Sequence, residues 1–287
     1  MKTSFVTTVL NEEKSINDLL DSLFAQSKKP DEIIIVDAGS KDKTVDLIKK
    51  HQLPVKLIQK PGLNRSQGRN LGIAKAQHTI IVISDAGCTL EKEWLQRITD
   101  PFKSHNVDSV AGFYQPQTNS VLSKSMAPFI AVMPDKFDDQ KYLPSSRSIA
   151  FKKSAWQAVG KYPENLNYCE DLIFAKDLKQ KTNMITRSDA LVFWQTPDNL
   201  KDFFQSIKNY ALGDIQAKYK PHTKKIATVF ARYAIFSGFP IFFLFYQLWP
   251  IFKFYHYINN PLAFIYLPFL QIIKDLAIML GSLYGLF

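Results

Sequence analysis

The chain has 287 residues, 46% of them hydrophobic, with 36 Lys and Arg against 26 Asp and Glu. This length can bury one large core in one or two domains, and two cysteines are too few for a disulfide framework or a zinc cluster. The net charge of +10 suits an anionic lipid or a phosphorylated substrate, whereas the lack of a basic run with interleaved aromatic residues before residue 200 argues against nucleic acid. No apolar segment at the start is long enough for a signal peptide, so we expect the amino-terminal part to stay in the cytosol.

The first 115 residues alternate between apolar strands and amphipathic helices. The predicted strands are 5–10, 32–36, 55–59 and 79–84, and the predicted helices are 16–24, 45–48 and 65–76. Ser40 or Asp42 is expected to cap the second helix. Strands that alternate with helices predict a mostly parallel sheet with right-handed crossovers. The first turn has no GxGxxG motif and the chain has no P-loop motif, so dinucleotide and P-loop sites lose their main support.

Polar side chains stand where the apolar strands end. Glu12 follows the first strand, Asp37 ends the second, and Ser84 and Asp85 close the fourth. Sheets of this kind bind ligands at the carboxyl ends of their strands, so we interpret Asp37 and Asp85 as ligand-binding carboxylates. Glu12 has a second interpretation, as an acidic residue that favours a helix amino-terminus.

A pair of arginines opens the third predicted helix. Arg65 and Arg69 lie one helical turn apart, so both can face one cleft. A guanidinium can bind phosphate oxygens through two N–H groups. The pair therefore suits a phosphorylated ligand.

The region 116–220 gives weaker signals. Residues 144–151 are predicted to be a loop that enters a strand, and Arg147 is compatible with either a cleft or a surface position. Trp194 could stack on a sugar or belong to the core. The predicted helix 200–218 has an apolar stripe that could face a membrane or pack on the catalytic domain. His222 is interpreted as a linker residue, with a diphosphate contact as the alternative.

Two apolar stretches follow residue 226. Residues 233–252 carry no charge, and residues 261–287 carry only Lys274 and Asp275. Either stretch can cross a hydrocarbon core of roughly 30 Å at 1.5 Å per residue. Prolines at 240, 250 and 268 are expected to break the helices, which leaves a re-entrant or interfacial hairpin as the alternative to full spanning. The lysines at 218, 220, 224 and 225 predict that the large domain faces the cytoplasm.

Three segments resemble the family-two inverting glycosyltransferases with a GT-A fold. They are TTVLNEE at 7–13, DEIIIVDAGSKDKT at 31–44 and GRNLG at 68–72, and the resemblance extends over roughly residues 3 to 215. It implies a GT-A type mixed, mostly parallel sheet flanked by helices, followed here by the membrane-associated helical hairpin. It also implies a nucleotide-sugar donor whose base lies near Thr8, Leu10 and Asp37, with Arg69 nearby and Asp85 at the ribose or the metal-bound diphosphate.

The segment NYCEDL at 167–172 is similar to the Glu-Asp motif of that family, and Asp171 aligns with the catalytic base, next to Glu170. Inversion is a single in-line displacement, so a carboxylate must take the proton of the attacking hydroxyl. An acidic pair that only favours a helix amino-terminus is the alternative. The implied organisation is a glycosyltransferase domain over 1–220, with a nucleotide-sugar half (1–115) and an acceptor half (116–220), and membrane-associated helices over 226–287.

The chain departs from the family pattern at the metal site. Gly87 stands where a second acid is common, and Gln195 lies near the position of a frequent histidine. We therefore expect Mg²⁺ or Mn²⁺ to be held by Asp85, diphosphate oxygens and water. The QxxRW motif of processive synthases is absent, which favours transfer of one sugar per encounter.

The expected function is membrane-associated, inverting transfer of a hexosyl-type group to a lipid-linked sugar or a cell-envelope glycan precursor. A catalytically impaired nucleotide-sugar-binding or scaffold protein is the alternative. A nucleotidyltransferase is disfavoured because residues 8–13 form no Gly-rich and Lys- or Arg-rich loop. The sugar, the carrier nucleotide and the oligomeric state stay open.

Overall fold

The computed structural model describes residues 1–104 and 106–287. Within them, eight strands form one mixed sheet in the order β3-β2-β1-β4-β7-β6-β8-β5. The strands are β1 Thr3–Val9, β2 Glu32–Asp37, β3 Val55–Gln59, β4 Ile80–Ile83, β5 Cys88–Leu90, β6 Ser109–Gln117, β7 Ile149–Lys152 and β8 Met184–Gln195. The helices are α1 Ile16–Phe24, α2 Thr44–Lys50, α3 Arg65–Lys75, α4 Trp94–Thr99, α5 Val121–Ile130, α6 Lys153–Ala158, α7 Glu170–Lys181, α8 Leu200–Gln216, α9 Lys220–Gly238, α10 Pro240–Ile258 and α11 Ala263–Tyr284.

The first four strands are the parallel part of the sheet. β1 pairs in parallel with β2 and with β4, and Val9 lies opposite Asp37. β2 and β4 are buried over nearly their whole length, as expected for strands covered on both faces. The predicted mixed sheet flanked by helices is confirmed, and the carboxyl ends of β1, β2 and β4 meet at one edge.

The other half of the sheet is antiparallel. β7 pairs with β4, with Phe151 opposite Ile81, and also with β6. β5 pairs with β8, with Cys88 opposite Trp194. The strand predicted at the end of the 144–151 segment is confirmed as β7, whereas no strand was predicted for β5 or β6. This half brings residues far along the chain to the end of β4.

An aromatic core holds α7 against the sheet. Phe174 and Tyr162 stack with their ring centroids 3.8 Å apart, and Phe174 meets Phe151 edge-on. Phe174 is 1% exposed, and burial of such a side chain contributes about 1.5–3 kcal/mol. The first turn of α7 is thereby fixed relative to β7.

The chain divides into two compact units, which we call unit 1 and unit 2. Unit 1 contains residues 1–115 and 137–195, and unit 2 contains residues 116–136 and 196–287. All eight strands begin in unit 1, and α5 and α8 to α11 belong to unit 2. The functional halves 1–115 and 116–220 remain predictions.

Unit 2 is a helical assembly built around α11. Its core contains Met126, Phe203, Ile207 and Leu270, so the apolar stripe of α8 packs inside this unit. A Cβ at Gly281 would lie 2.1 Å from the backbone oxygen of Lys208, which means that α8 and α11 approach through a glycine. His222, the predicted linker residue, lies in α9 and contacts Asp214 at 2.8 Å.

The first apolar stretch, 233–252, covers the end of α9 and most of α10, and the second, 261–287, contains α11. Pro240 begins α10, but Pro250 and Pro268 lie inside helices, so the expectation that all three prolines break helices was wrong. In the described chain, α11 is the one helix long and apolar enough to cross a membrane. Large apolar side chains stay exposed on these helices: Phe242, Leu244, Phe245, Leu248, Trp249, Phe252 and Ile265.

Candidate active site

One buried arginine connects three parts of unit 1. Arg69, in α3, is 3% exposed. Its Nη1 donates to Glu170 Oε1 at 2.7 Å, and its Nη2 donates to Asp85 Oδ1 at 2.9 Å. The structure thus brings together three predicted site residues, from α3, from the end of β4 and from the start of α7.

The three charged groups shift one another's pKa values. Burial lowers the pKa of Arg69, but the charges of Asp85 and Glu170 raise it by more than burial lowers it. This guanidinium therefore stays charged. Burial raises the pKa of the Asp85 carboxyl, but the charges of Arg69 and Arg147 outweigh it and hold the pKa below its usual range. The pKa of Glu170 is raised by burial and by the adjacent Asp171. Of the two carboxyls that contact Arg69, Asp85 thus has the lowered pKa and Glu170 the raised one, and the Asp85 side chain is 34% exposed.

Glu170 and Asp171 have different surroundings. Glu170 is buried against Arg69, whereas Asp171 is half-buried and its Oδ1 accepts from the backbone N–H of Leu172 at 2.8 Å. Cys169, just before them, has a φ of 65°, a left-handed conformation that costs a residue with a side chain roughly 1–2 kcal/mol. Strain of this kind often marks a functional segment. Of the acidic pair, Asp171 is the more accessible to a substrate.

The predicted base-binding residues lie at the ends of β1 and β2. Asp37 is buried, and its carboxylate accepts from the backbone N–H groups of Gly39 and Ser40 at 3.1–3.3 Å. Thr8 donates to the Val36 carbonyl at 3.1 Å. Leu10 is 49% exposed at the same edge. The Asp37 carboxylate thus organises the turn that follows β2.

Glycine lets α3 approach this edge. A Cβ at Gly68 would lie 2.3 Å from Thr8 Oγ1, so a side chain there would displace the helix. The helix begins with a capping box, in which Asn64 and Gln67 bond each other's backbone N–H groups. Both features position Arg69, one residue after Gly68.

Arg65, Glu12 and Ser84 surround the same cluster. Arg65 is exposed, with its guanidinium 5.5 Å from the ring centroid of Tyr168, and its charge acts on Asp85. Burial raises the pKa of Glu12, and a hydrogen bond from Ser15 lowers it by less. The charge of Asp85 adds to the increase. Ser84 is fully buried. Arg65 and Glu12 therefore share the electrostatic environment of Asp85.

Arg147 and Trp194 form an aromatic and cationic wall. The Arg147 guanidinium lies 3.9 Å from the Trp194 ring centroid and 4.9 Å from that of Tyr114. Both Arg147 and Trp194 are half-buried, and the charge of Arg147 acts on Asp85. The structure therefore favours the cleft position for Arg147. Tyr114 was missed in the sequence because it lies in β6, which gave no strand signal.

The chain supplies few protein ligands for a metal ion. Among the described residues, no group of three or more His, Cys, Asp or Glu side chains could hold one. A Cβ at Gly87 would meet nothing within 4 Å, so space is open two residues after Asp85. Asp85 and this space fit a cation held mainly by ligand oxygens, as Mg²⁺ often is.

Comparison with known proteins agrees with this geometry. Residues 4–157, more than half of the chain, match the family model described as Glycosyl transferase family 2. The chain is 25% identical over 185 residues to the uncharacterized glycosyltransferase EpsJ of Bacillus subtilis (strain 168), covering 61% of this chain and 53% of EpsJ. It is 23% identical over 194 residues to the O-antigen chain rhamnosyltransferase RfbN of Salmonella typhimurium, covering 63% of this chain and 62% of RfbN.

The fold has a solved counterpart. The mannosyltransferase PcManGT from Pyrobaculum calidifontis, in complex with GDP-Man and Mn²⁺, is similar with a TM-score of 0.69 at 16% identity. The similarity covers 100% of this chain and 87% of PcManGT. The chain spans about half the length of EpsJ. The family model establishes the family, and the similarity to PcManGT establishes the fold alone.

Proposed function

Because the chain belongs to glycosyl transferase family 2, we propose that it transfers a hexosyl group, with inversion, from a nucleotide-sugar donor to an acceptor held at a membrane. The observation that carries the proposal is the Arg69, Asp85 and Glu170 cluster, which leaves Asp171 accessible beside it. The acceptor class is a lipid-linked sugar or a cell-envelope glycan precursor, the latter suggested by RfbN. The large domain faces the cytoplasm, where nucleotide sugars are available.

The donor binds at the carboxyl ends of β1, β2 and β4. Asp37 and Thr8 lie where a nucleoside base would be recognised, and Asp85 lies where the ribose or the diphosphate would follow. GDP-Man in PcManGT supports a nucleoside diphosphate sugar as the ligand class. Arg65 and Arg147 supply positive charge that attracts a diphosphate to this edge.

Transfer is a single displacement. The Asp171 carboxylate takes the proton of the acceptor hydroxyl as that oxygen bonds to the anomeric carbon, and the bond from this carbon to the diphosphate oxygen breaks. Negative charge grows on the leaving diphosphate, and the guanidinium groups of Arg147 and Arg65 stabilise it. Mg²⁺ or Mn²⁺ next to Asp85 would supply further neutralisation. Glu170 positions Arg69 and the first turn of α7.

Replacement of Asp171 tests the mechanism. We expect Asp171→Asn to lower the rate of transfer about 10²–10⁴-fold, because the proton acceptor is lost, while the affinity for the donor stays nearly unchanged. Asp177→Asn is the matched control, since Asp177 lies on the same helix in an ion pair with Lys181 at 3.8 Å. Release of nucleoside diphosphate from UDP- and GDP-sugars, with a membrane lipid extract as acceptor, reports transfer. Unchanged turnover in Asp171→Asn would remove this residue from the mechanism.

The scarcity of metal ligands favours one second function, a nucleotide-sugar-binding or scaffold protein that does not catalyse transfer. A thermal-shift screen of UDP- and GDP-sugars, with and without Mg²⁺ or Mn²⁺, combined with the transfer assay, separates the two. Stabilisation by a donor without transfer to any lipid extract supports the second function. Undiminished turnover in excess chelator would exclude the divalent cation.

A further inference from the structure

Cationic side chains collect on the helices of unit 2 that expose apolar surface. From residue 217 to residue 287 the sequence has seven Lys and Arg and one acidic residue, Asp275. Three of these cations, Lys225 and Arg232 on α9 and Lys253 on α10, act on the ammonium of a fourth, Lys274 on α11. We call them the tail cation cluster: Lys225, Arg232, Lys253 and Lys274.

The one side-chain carboxylate of residues 217–287, that of Asp275, accepts hydrogen bonds from uncharged donors. Asp275 is fully buried, and its oxygens accept from the Tyr246 hydroxyl at 2.7 Å and from the Gln271 amide at 3.0 Å. Arg232 lies 5.1 Å from the Tyr246 ring centroid. Its Nε is buried and, within the described residues, has no hydrogen-bond partner. Asp275 thus connects α10 and α11 without forming an ion pair.

Aromatic rings of unit 2 bring two ammonium groups near each other. The Lys274 Nζ lies 5.8 Å from the Phe129 ring centroid, and the Lys253 Nζ lies 5.0 Å from that of Phe254. These two rings are 4.9 Å apart. Both lysines therefore lie beside one aromatic pair, each next to a different ring.

Positive charge is in excess around Lys274. Burial lowers the pKa of the Lys274 ammonium and Asp275 raises it, while Arg232, Lys253 and Lys225 lower it again, so three cations and one carboxylate act on this group. Like charges in excess over their counter-charge cost free energy, and a bound anion offsets that cost. An anion is therefore the ligand that the cluster accommodates best.

The surroundings select the kind of anion. Phe245, Leu248, Trp249 and Phe252 are 46–80% exposed on α10, the helix that also carries Lys253. Apolar surface of this extent beside cations is typical of helices that lie at a membrane interface. We propose that the tail cation cluster binds the phosphate headgroup of a membrane amphiphile, whose hydrocarbon chains lie against α10 and α11.

This site is distinct from the donor site, and it shares with the proposed function only the location at a membrane. The residues involved belong to unit 2, whereas Arg69, Asp85 and Asp171 belong to unit 1. Lipid binding and donor binding can therefore be measured separately on the same protein.

The test uses the full chain and vesicles of phosphatidylcholine with or without phosphatidylglycerol. We expect the double variant Lys225→Gln, Lys253→Gln to bind the phosphatidylglycerol vesicles roughly 30-fold more weakly, because each basic residue near the surface contributes about 1 kcal/mol. Both lysines are exposed, so the fold should persist. The matched control is Lys49→Gln, Lys50→Gln, which removes two exposed lysines of α2 and should leave binding unchanged.

Three outcomes would overturn the proposal. An equal loss in the control would indicate general attraction of a basic protein, and equal binding to both vesicles would indicate apolar contact alone. Competition by inorganic phosphate or glycerol phosphate as strong as that of the lipid would indicate a site for free phosphate. Donor-induced thermal shift, recorded on the same variants, should be unchanged, which separates failure of this proposal from failure of the proposed function.

Discussion

At the scale of single residues, the site depends on one guanidinium that serves two carboxylates. Arg69 and Glu170 are both nearly inaccessible, with side chains 4% and 5% exposed. A buried acid, Glu170, and a partly exposed one, Asp85, are tolerated close together because a permanently charged group lies between them. A lysine could not bond both carboxylates with the same planar geometry.

Removal of that charge should destabilise the protein strongly. We expect Arg69→Met to lower the free energy of unfolding by about 3–5 kcal/mol, since the buried carboxylate of Glu170 loses its partner. Arg187→Met is the control, because Arg187 bonds Asp189 through two nitrogens at 2.7–2.8 Å on the surface and should cost less than about 1 kcal/mol. Urea unfolding measures both. Equal losses would contradict a special role for Arg69.

Glu12 should produce a pH dependence of stability. Its folded pKa is raised above the ordinary value of 4.5 by burial, so the folded state favours the protonated form. The stability of the native protein relative to Glu12→Gln should be highest below pH 4.5 and should decrease as the pH rises through the raised pKa. Urea titrations of both proteins at a series of pH values give this difference. A stability difference that increases with pH would show that burial does not dominate the pKa of Glu12.

At the scale of elements, the sequence predicts the parallel half of the sheet better than the antiparallel half. The long apolar runs of β1, β2 and β4 and the amphipathic α1 and α3 give clear periodicities. β5 has three residues and β6 mixes polar and apolar positions, so neither has a distinct pattern. Each proline costs its helix only one N–H donor, and packing against neighbouring helices can stabilise the rest of α10 and α11. Pro250 and Pro268 are therefore tolerated inside these helices.

Most site residues could be named from the sequence, but not their partners. Asp37 and Asp85 follow from strand ends, whereas Asp171 follows from the resemblance of residues 167–172 to the Glu-Asp motif of the family. The bond from Arg69 to Glu170 joins residues 101 positions apart, and no local pattern encodes such a pair. The same holds for Tyr114, which reaches Arg147 only because β6 pairs with β7.

The contact between α8 and α11 should be sensitive to one methyl group. Gly281→Ala places a Cβ against the Lys208 backbone oxygen, and we expect a loss of about 1–3 kcal/mol from overpacking. Gly238→Ala is the control, because its Cβ would meet nothing within 4 Å in the last position of α9. Thermal unfolding of both variants measures the effect. A neutral Gly281→Ala would show that the two helices separate easily.

At the scale of the whole molecule, the exposed apolar side chains of unit 2 form the surface through which we expect the protein to contact a membrane. α11 is long and apolar enough to span, yet α8 packs on it through Gly281 and Gly285 and carries charged side chains at Lys201, Asp202 and Lys208. A span that carried α8 with it would place those charges in hydrocarbon, at a cost of about 2.5–3.5 kcal/mol each. We therefore expect the helices of unit 2 to lie at the interface.

Tryptophan fluorescence can test this arrangement. Trp249 is 57% exposed on α10, whereas Trp94 and Trp156 are buried in the core. On addition of vesicles we expect a blue shift and strong quenching by lipids brominated near the headgroup, and Trp249→Phe should abolish both. Stronger quenching by lipids brominated near the chain ends would contradict the interfacial position.

If the proposed donor and acceptor bind here, we expect the guanidinium that joins β4 to α7 to make their binding thermodynamically dependent on each other. A diphosphate or cation that approaches Asp85 competes with Arg69 for this carboxylate, and the change is transmitted to Glu170 and the first turn of α7. Linkage is reciprocal, so an acceptor that engages Asp171 must alter donor affinity by the factor by which the donor alters acceptor affinity. Arg69 would then be the residue that couples donor binding to acceptor binding.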